Sequence, residues 1–202
     1  MLDPDVCTCC PTSIASLGSG LVAAYRGHTP ANIRDIRKVR FAAGEWSQPR
    51  VVHADNGKIA GCPVNGPSLD AEGKRLGLIW FTAAEERPVV RLAFSENGGA
   101  DFRQPVPIDR GQAIGRAQVV LARDGSALAP WIENASGQAQ LLARSVRSDG
   151  TMSAPVQVAR ADGLSYPHST RAMDGVMIAW VQEQPQPRVH VSLLVSSRRE
   201  DK

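Results

Sequence analysis

The sequence predicts an all-β chain built as a propeller from four-stranded antiparallel blades. Three observations carry this. Four aromatics, Tyr25, Trp80, Trp131 and Trp180, recur 55, 51 and 49 residues apart. Each closes a short apolar run: LVAAY, LGLIW, ALAPW and VMIAW. A second β-like run follows each aromatic, and proline recurs after the first three units' runs, at Pro49, Pro105 and Pro155. A repeat of this period is one supersecondary unit used several times.

The second unit shows the elements most clearly. A first strand is expected at 67–71, turning at Glu72-Gly73, and a second at 76–82. The third, 89–95, alternates Val90, Leu92 and Phe94 with Arg91 and Ala93, the period of a half-buried strand. A Gly-rich turn then leads to a fourth strand at 102–108, where Pro105 and Pro107 suit an outer edge that needs no N–H donor. The other units repeat this plan. Gly18-Ser19-Gly20, Asp124-Gly125 and Asp174-Gly175 take the first turn, and 36–41, 141–146 and 189–195 take the third strand. The expected blades are about 7–55, 62–110, 115–160 and 165–197 of one domain spanning 1–202, the last stopping after its third strand at Ser196-Ser197. A sandwich of short strands is the competing architecture, but it does not demand the same turn at the same offset.

Composition narrows the function. The 202 residues are 43% hydrophobic, enough for a sizeable core. No apolar stretch reaches the roughly 20 residues that span a bilayer. The net charge of +3 is small and the arginines are scattered, so nucleic acid is not an expected partner. Met1 leads almost directly to Cys7, with no charged and then apolar leader between them. Read literally, the chain is cytoplasmic; read with the repeat, Met1 is an internal start of a longer chain.

The segment Ser95-Glu96-Asn97-Gly98-Gly99-Ala100-Asp101-Phe102 resembles the Asp-box, S-x-D-x-G-x-x-W/F, of sialidase-type (BNR-repeat) propellers. Asn97 stands where that family prefers Asp. Ala42 to Trp46 is a shortened box, and Ser148 to Met152 keeps only its Asp-Gly turn. Cys7-Thr8-Cys9-Cys10-Pro11, Asn32 to Ile36 and Gly61-Cys62-Pro63-Val64-Asn65-Gly66-Pro67 resemble segments of bacterial exported proteins of that group. The resemblance implies a periplasmic or extracellular location and a ring of about six blades, of which this chain would be the C-terminal part. An incomplete ring would leave open sheet edges and invite self-association.

Strand order places the functional face. Loops between strands two and three, and the segments that lead into each blade, lie on the face opposite the Asp-box turns. There the polar candidates gather. Arg26, Arg34, Asp35, Asn65, Arg116 and His168 are the expected ligand-binding residues for a small anionic or carbohydrate ligand. Planar guanidinium groups suit a carboxylate. The resemblance also raises sialoside hydrolysis, which in that family uses an arginine triad, a Tyr nucleophile and an Asp acid/base. Tyr166 and Asp35 are the candidates here. Tyr25 holds a core position of the repeat, no Glu has an evident partnership with Tyr166, and Phe102-Arg103-Gln104-Pro105 only superficially matches the family's Arg-Ile-Pro motif. A non-catalytic binding propeller is therefore preferred to a hydrolase.

All four cysteines, Cys7, Cys9, Cys10 and Cys62, fall on the lead-in segments of the first two blades. Two main readings stay open, beside that of a catalytic or incidental thiol. One is a disulfide joining Cys62 to one of the other three, in an oxidising compartment. The other is a thiolate site for copper or zinc, with His53 or His168 as further ligands, although Cys-x-Cys-Cys is not the usual zinc spacing.

Overall fold

The chain forms an all-β propeller of antiparallel sheets; the computed structural model describes residues 1–160 and 163–195. The first sheet holds β1 (Ser13–Leu17), β2 (Gly20–Arg26) and β3 (Ile36–Ala42), with β4 (Glu45–Trp46) and β5 (Arg50–Val51) both pairing with β3. The second is β6 (Ser68–Glu72), β7 (Arg75–Thr82), β8 (Val89–Ser95) and β9 (Val106–Pro107). The third holds β10 (Ala113–Gly115) and β11 (Val120–Leu121), both on β12 (Ala127–Ala135), then β13 (Gln138–Val146) and β14 (Val156–Arg160). The fourth is β15 (His168–Ala172), β16 (Gly175–Gln182) and β17 (Arg188–Val195). The stop expected at Ser196-Ser197 lies outside the described residues.

Each expected turn is present within a residue or two. The outer strand of the second sheet is shorter than expected, two residues rather than seven. Prolines at 105 and 107 remove two N–H donors, so only Arg91 and Leu92 find ladder partners there.

Three apolar layers lie between successive sheets. Val22, Ala24 and Ile36 meet Leu76, Leu78 and Trp80; Ile79, Val90 and Leu92 meet Leu121, Ala129 and Trp131; Val120, Ile132 and Leu141 meet Val176, Ile178 and Trp180. The second and third sheets are thus buried on both faces, which is why LGLIW reads as a continuous apolar run rather than an alternation. Each Trp of the repeat points toward the sheet before its own. Tyr25 lies on the face of β2 turned away from the second sheet, paired in register with Arg37. At the other end, Val189, Val191, Leu193 and Val195 alternate along one exposed face of β17.

Successive inner strands are tied by side chains to backbone. Ser13 Oγ accepts from the Leu69 amide at 3.0 Å, Ser68 Oγ from the Val119 amide at 3.2 Å, and Asp70 from the Leu121 amide at 2.7 Å. Inner strands held side by side bring the segments that lead into them onto one mouth.

Candidate functional site

The mouth is a cavity of about 440 Å³. All four lead-in segments line it, through Pro11 and Thr12, Val64 and Gly66, Ala117 and Gln118, and Tyr166 and His168. Its remaining polar lining, Ser13 and Ser68, comes from the starts of β1 and β6, and nothing in the sequence marked those two serines beyond their position at strand starts. Among the described residues, the side chains of Thr12, Gln118 and His168 and the hydroxyl of Tyr166 have no protein hydrogen-bond partner, so they are free to meet a ligand. Among the described residues, no carboxylate lines it.

The expected ligand-binding residues, with the catalytic candidate Tyr166, separate into two groups. Tyr166 and His168 line the cavity. Arg116 stands behind Tyr166, its guanidinium 5.1 Å from the ring centroid and bonded to the Leu164 carbonyl. It sits in the break between β10 and β11 with φ of 50°, where the inner strand leaves the ladder. Burial pushes the Tyr166 hydroxyl above its ordinary pKa, against the pull of Arg116.

The other four are committed inside the fold. Arg26 is 2% exposed and donates to the carbonyls of Asn65 at 2.9 Å, Arg34 at 2.7 Å and Phe81 at 2.6 Å. Arg34 donates to the Ile59 carbonyl at 2.9 Å and to Cys7 Sγ at 3.3 Å. Asp35 accepts from the amides of Asn56 and Gly57, at 3.2 and 3.1 Å, and so anchors the lead-in segment of the second blade. Burial raises its pKa, and those two amides oppose the rise without cancelling it. Asn65 joins the second and third sheets: its Oδ1 accepts the Arg116 amide at 2.7 Å and its Nδ2 donates to the Ile114 carbonyl at 3.1 Å. The side chains a carboxylate ligand would need are already serving backbone carbonyls.

The cysteines meet beside this mouth, as their shared topology predicts. Cys9 and Cys62 form a disulfide, and Cys7 and Cys10 are buried thiols. Cys7 Sγ lies 3.0 Å from Cys10 Sγ and 3.4 Å from Cys9 Sγ, and all four sulfurs fall within 4.8 Å of one another. Burial pushes the Cys7 thiol up, but hydrogen bonds from Cys10 and the Cys9 amide, with the Arg34 guanidinium, hold it below its ordinary pKa. Burial and the Cys7 sulfur push Cys10 above its own. A metal bound by all four sulfurs would need the Cys9–Cys62 bond reduced first, since a ligating sulfur is a thiolate. His53 is held near Asp55, 3.7 Å away.

No family model matches the chain, and no curated protein matches it. Solved structures do. One is a GH43_12 protein retrieved from a capybara gut metagenome, with a TM-score of 0.62 at 8% identity over 93% of this chain and 40% of that one. Another is the "Xyloglucan PUL GH43B" protein of Bacteroides ovatus, with a TM-score of 0.58 at 14% identity over 98% of this chain and 43% of that one. A third is a subtype N11 neuraminidase-like protein (H18N11, flat-faced bat), with a TM-score of 0.55 at 7% identity over 94% of this chain and 54% of that one. At these identities the likeness is one of fold, and the chain spans only about half of each neighbour or less.

Proposed function

We propose that the chain is a sialidase-like propeller, or a portion of a larger ring of about six blades, that binds a carbohydrate at the mouth without cleaving it. One observation carries this reading: all four lead-in segments line one cavity, and three of them supply it with free hydroxyl, amide, phenol and imidazole groups. Polar groups of that kind beside an aromatic face suit the alternating hydroxyls and C–H faces of a sugar. Cleavage by the usual glycosidase route needs a pair of carboxyl groups flanking the bond. Among the described residues the cavity lining offers none, and Asp35 is bound to two amides elsewhere. A lining with no Lys or Arg among the described residues favours a sugar over a bare anion.

The Cys9–Cys62 disulfide supports an exported location, since such bonds persist in oxidising compartments. No helix among the described residues is long and apolar enough to cross a membrane. The exposed apolar face of β17 supports self-association, which sedimentation at rising protein concentration measures.

The binding test is calorimetric titration with neutral xylo- and arabino-oligosaccharides, sialyllactose and inorganic phosphate, beside a fluorogenic sialoside assay. Saturable binding of an oligosaccharide, lost in Tyr166→Ala and His168→Ala with no sialoside turnover, is the expected result. Sialoside turnover that Tyr166→Phe abolishes would replace this reading with hydrolysis.

A further inference from the structure

We propose that the four cysteines form one thiol–disulfide exchange site, in which Cys7 moves the exposed Cys9–Cys62 disulfide inward to Cys7–Cys10. Three observations converge on it. The nucleophile, the bond it attacks and the resolving thiol are in contact: Cys7 Sγ is 3.4 Å from Cys9 Sγ and 3.0 Å from Cys10 Sγ. Cys7 and Cys10 are buried, while Cys9 and Cys62 are exposed. And two buried guanidiniums, Arg26 and Arg34, face the buried pair with no carboxylate ion-pair partner among the described residues.

The arginines favour a thiolate at Cys7, and the disulfide weighs against a four-sulfur metal site. A buried cation without a counter-ion costs several kcal/mol, on the order of the penalty for one desolvated ion. A thiolate at Cys7 offsets that cost for Arg34, which donates directly to its sulfur. The disulfide also removes two of the four sulfurs from the ligand set. A nucleophilic thiolate is what this electrostatic setting favours.

The exchange balances without an added reagent. The Cys7 thiolate attacks Cys9 Sγ; the Cys7–Cys9 bond forms, the Cys9–Cys62 bond breaks, and its electron pair leaves on Cys62. Cys62 is open to water and takes a proton. Cys10 then releases a proton and attacks Cys7 Sγ; the Cys7–Cys10 bond forms and Cys9 leaves as a thiolate. One disulfide, one negative charge and the same number of protons stand on each side. The product is an exposed Cys9/Cys62 dithiol above a buried disulfide. That dithiol can reduce a small external disulfide, RSSR, reclosing Cys9–Cys62 and releasing two RSH.

The test is a disulfide map of the full chain, kept free of reductant, incubated near neutral pH, acid-quenched, alkylated and read by mass spectrometry. Both Cys9–Cys62 and Cys7–Cys10 linkages are expected in the unmodified protein. Cys7→Ser leaves Cys9–Cys62 alone, and Cys10→Ser accumulates Cys7–Cys9 with Cys62 alkylated. Arg34→Gln slows the approach to equilibrium on the order of threefold, the net of a roughly tenfold smaller thiolate fraction and a roughly threefold more nucleophilic thiolate when a thiol's pKa rises by about one unit, and Arg34→Lys restores most of it. Cys9–Cys62 as the sole linkage at every time in the unmodified protein would overturn the proposal, whatever the variants do. So would one metal ion per chain, retained through purification and lost in Cys7→Ser.

Discussion

The Tyr25 hydroxyl donates to Asp3 Oδ2 at 2.8 Å, and the same carboxylate takes Arg37 Nη1 at 2.9 Å. This pair closes the open side of the first sheet. At the equivalent position the later sheets place Trp80, Trp131 and Trp180 against the sheet before their own. Tyr25 has the N-terminal segment there instead, and its buried phenol keeps a hydrogen-bond partner in Asp3.

Acid should therefore loosen this corner. Burial pushes the Asp3 carboxyl up, but the Asp5 amide, Arg37 and Tyr25 outweigh it, and its pKa falls below the ordinary value. A carboxyl lowered on folding stabilises the fold fully above its unfolded pKa of about 3.9, and that stabilisation is lost as pH falls through the lower folded value. Asp3→Asn should flatten the decline of urea midpoints over that acid range. Tyr25→Phe should remove about 1 kcal/mol at neutral pH. An unchanged acid limb in Asp3→Asn would show that the pair contributes nothing.

Arg26 and Arg116, both chosen as ligand-binding residues from the sequence, should part in their effects. Arg26→Ala leaves three buried carbonyls without their donor, and a loss of about 3–5 kcal/mol is expected from urea unfolding. Arg116→Ala should cost less, because its guanidinium bonds one carbonyl and rests on Tyr166. Equal stability of the two variants would contradict the division between framework and mouth.

That division was hidden from the sequence. The aromatic ruler and the strand alternation pointed to four antiparallel sheets, because both depend on local spacing. Whether an arginine faces solvent or a carbonyl depends on partners far along the chain: Asn65 meets the Arg116 amide 51 residues away, and Arg26 meets Phe81 55 residues away. Nothing local encodes such contacts. The cysteines show the same limit. Shared position on one face brought all four together, but spacing could not select Cys9 over Cys7 or Cys10 as the partner of Cys62.

The Asn at position 97 has a local reason. Ser95 Oγ accepts the Gly99 amide at 3.0 Å, and Asn97 Oδ1 accepts the Asp101 amide at 3.0 Å. Asn97 Nδ2 also donates to Asp101 Oδ2 at 3.2 Å. An Asp at 97 would keep the first contact but set two carboxylates against each other. Asn97→Asp should lower stability by up to about 1 kcal/mol, and Asp101→Asn in the same chain should restore it, a coupling that a double-mutant cycle measures. Ser95→Ala should cost about 1–2 kcal/mol and leave oligosaccharide binding unchanged, since this turn lies on the face away from the mouth.

Gly115 tests how tightly the mouth is built. It has φ of 95°, in the left-handed region, just before the break that carries Arg116. A Cβ there would lie 2.6 Å from Asn65 Oδ1 and 2.9 Å from Phe81 Cβ. Gly115→Ala therefore meets both backbone strain and a clash, and the clash falls on the oxygen that holds the Arg116 amide. Gly44, with φ of 85°, has open space around its Cα and meets the strain alone. Gly44→Ala should cost about 1 kcal/mol and Gly115→Ala more than about 2 kcal/mol. Displacing Asn65 would also shift Arg116 and, through it, Tyr166. Gly115→Ala should therefore weaken oligosaccharide binding while Gly44→Ala leaves it intact. Full binding by a folded Gly115→Ala chain would mean that the mouth does not depend on this contact.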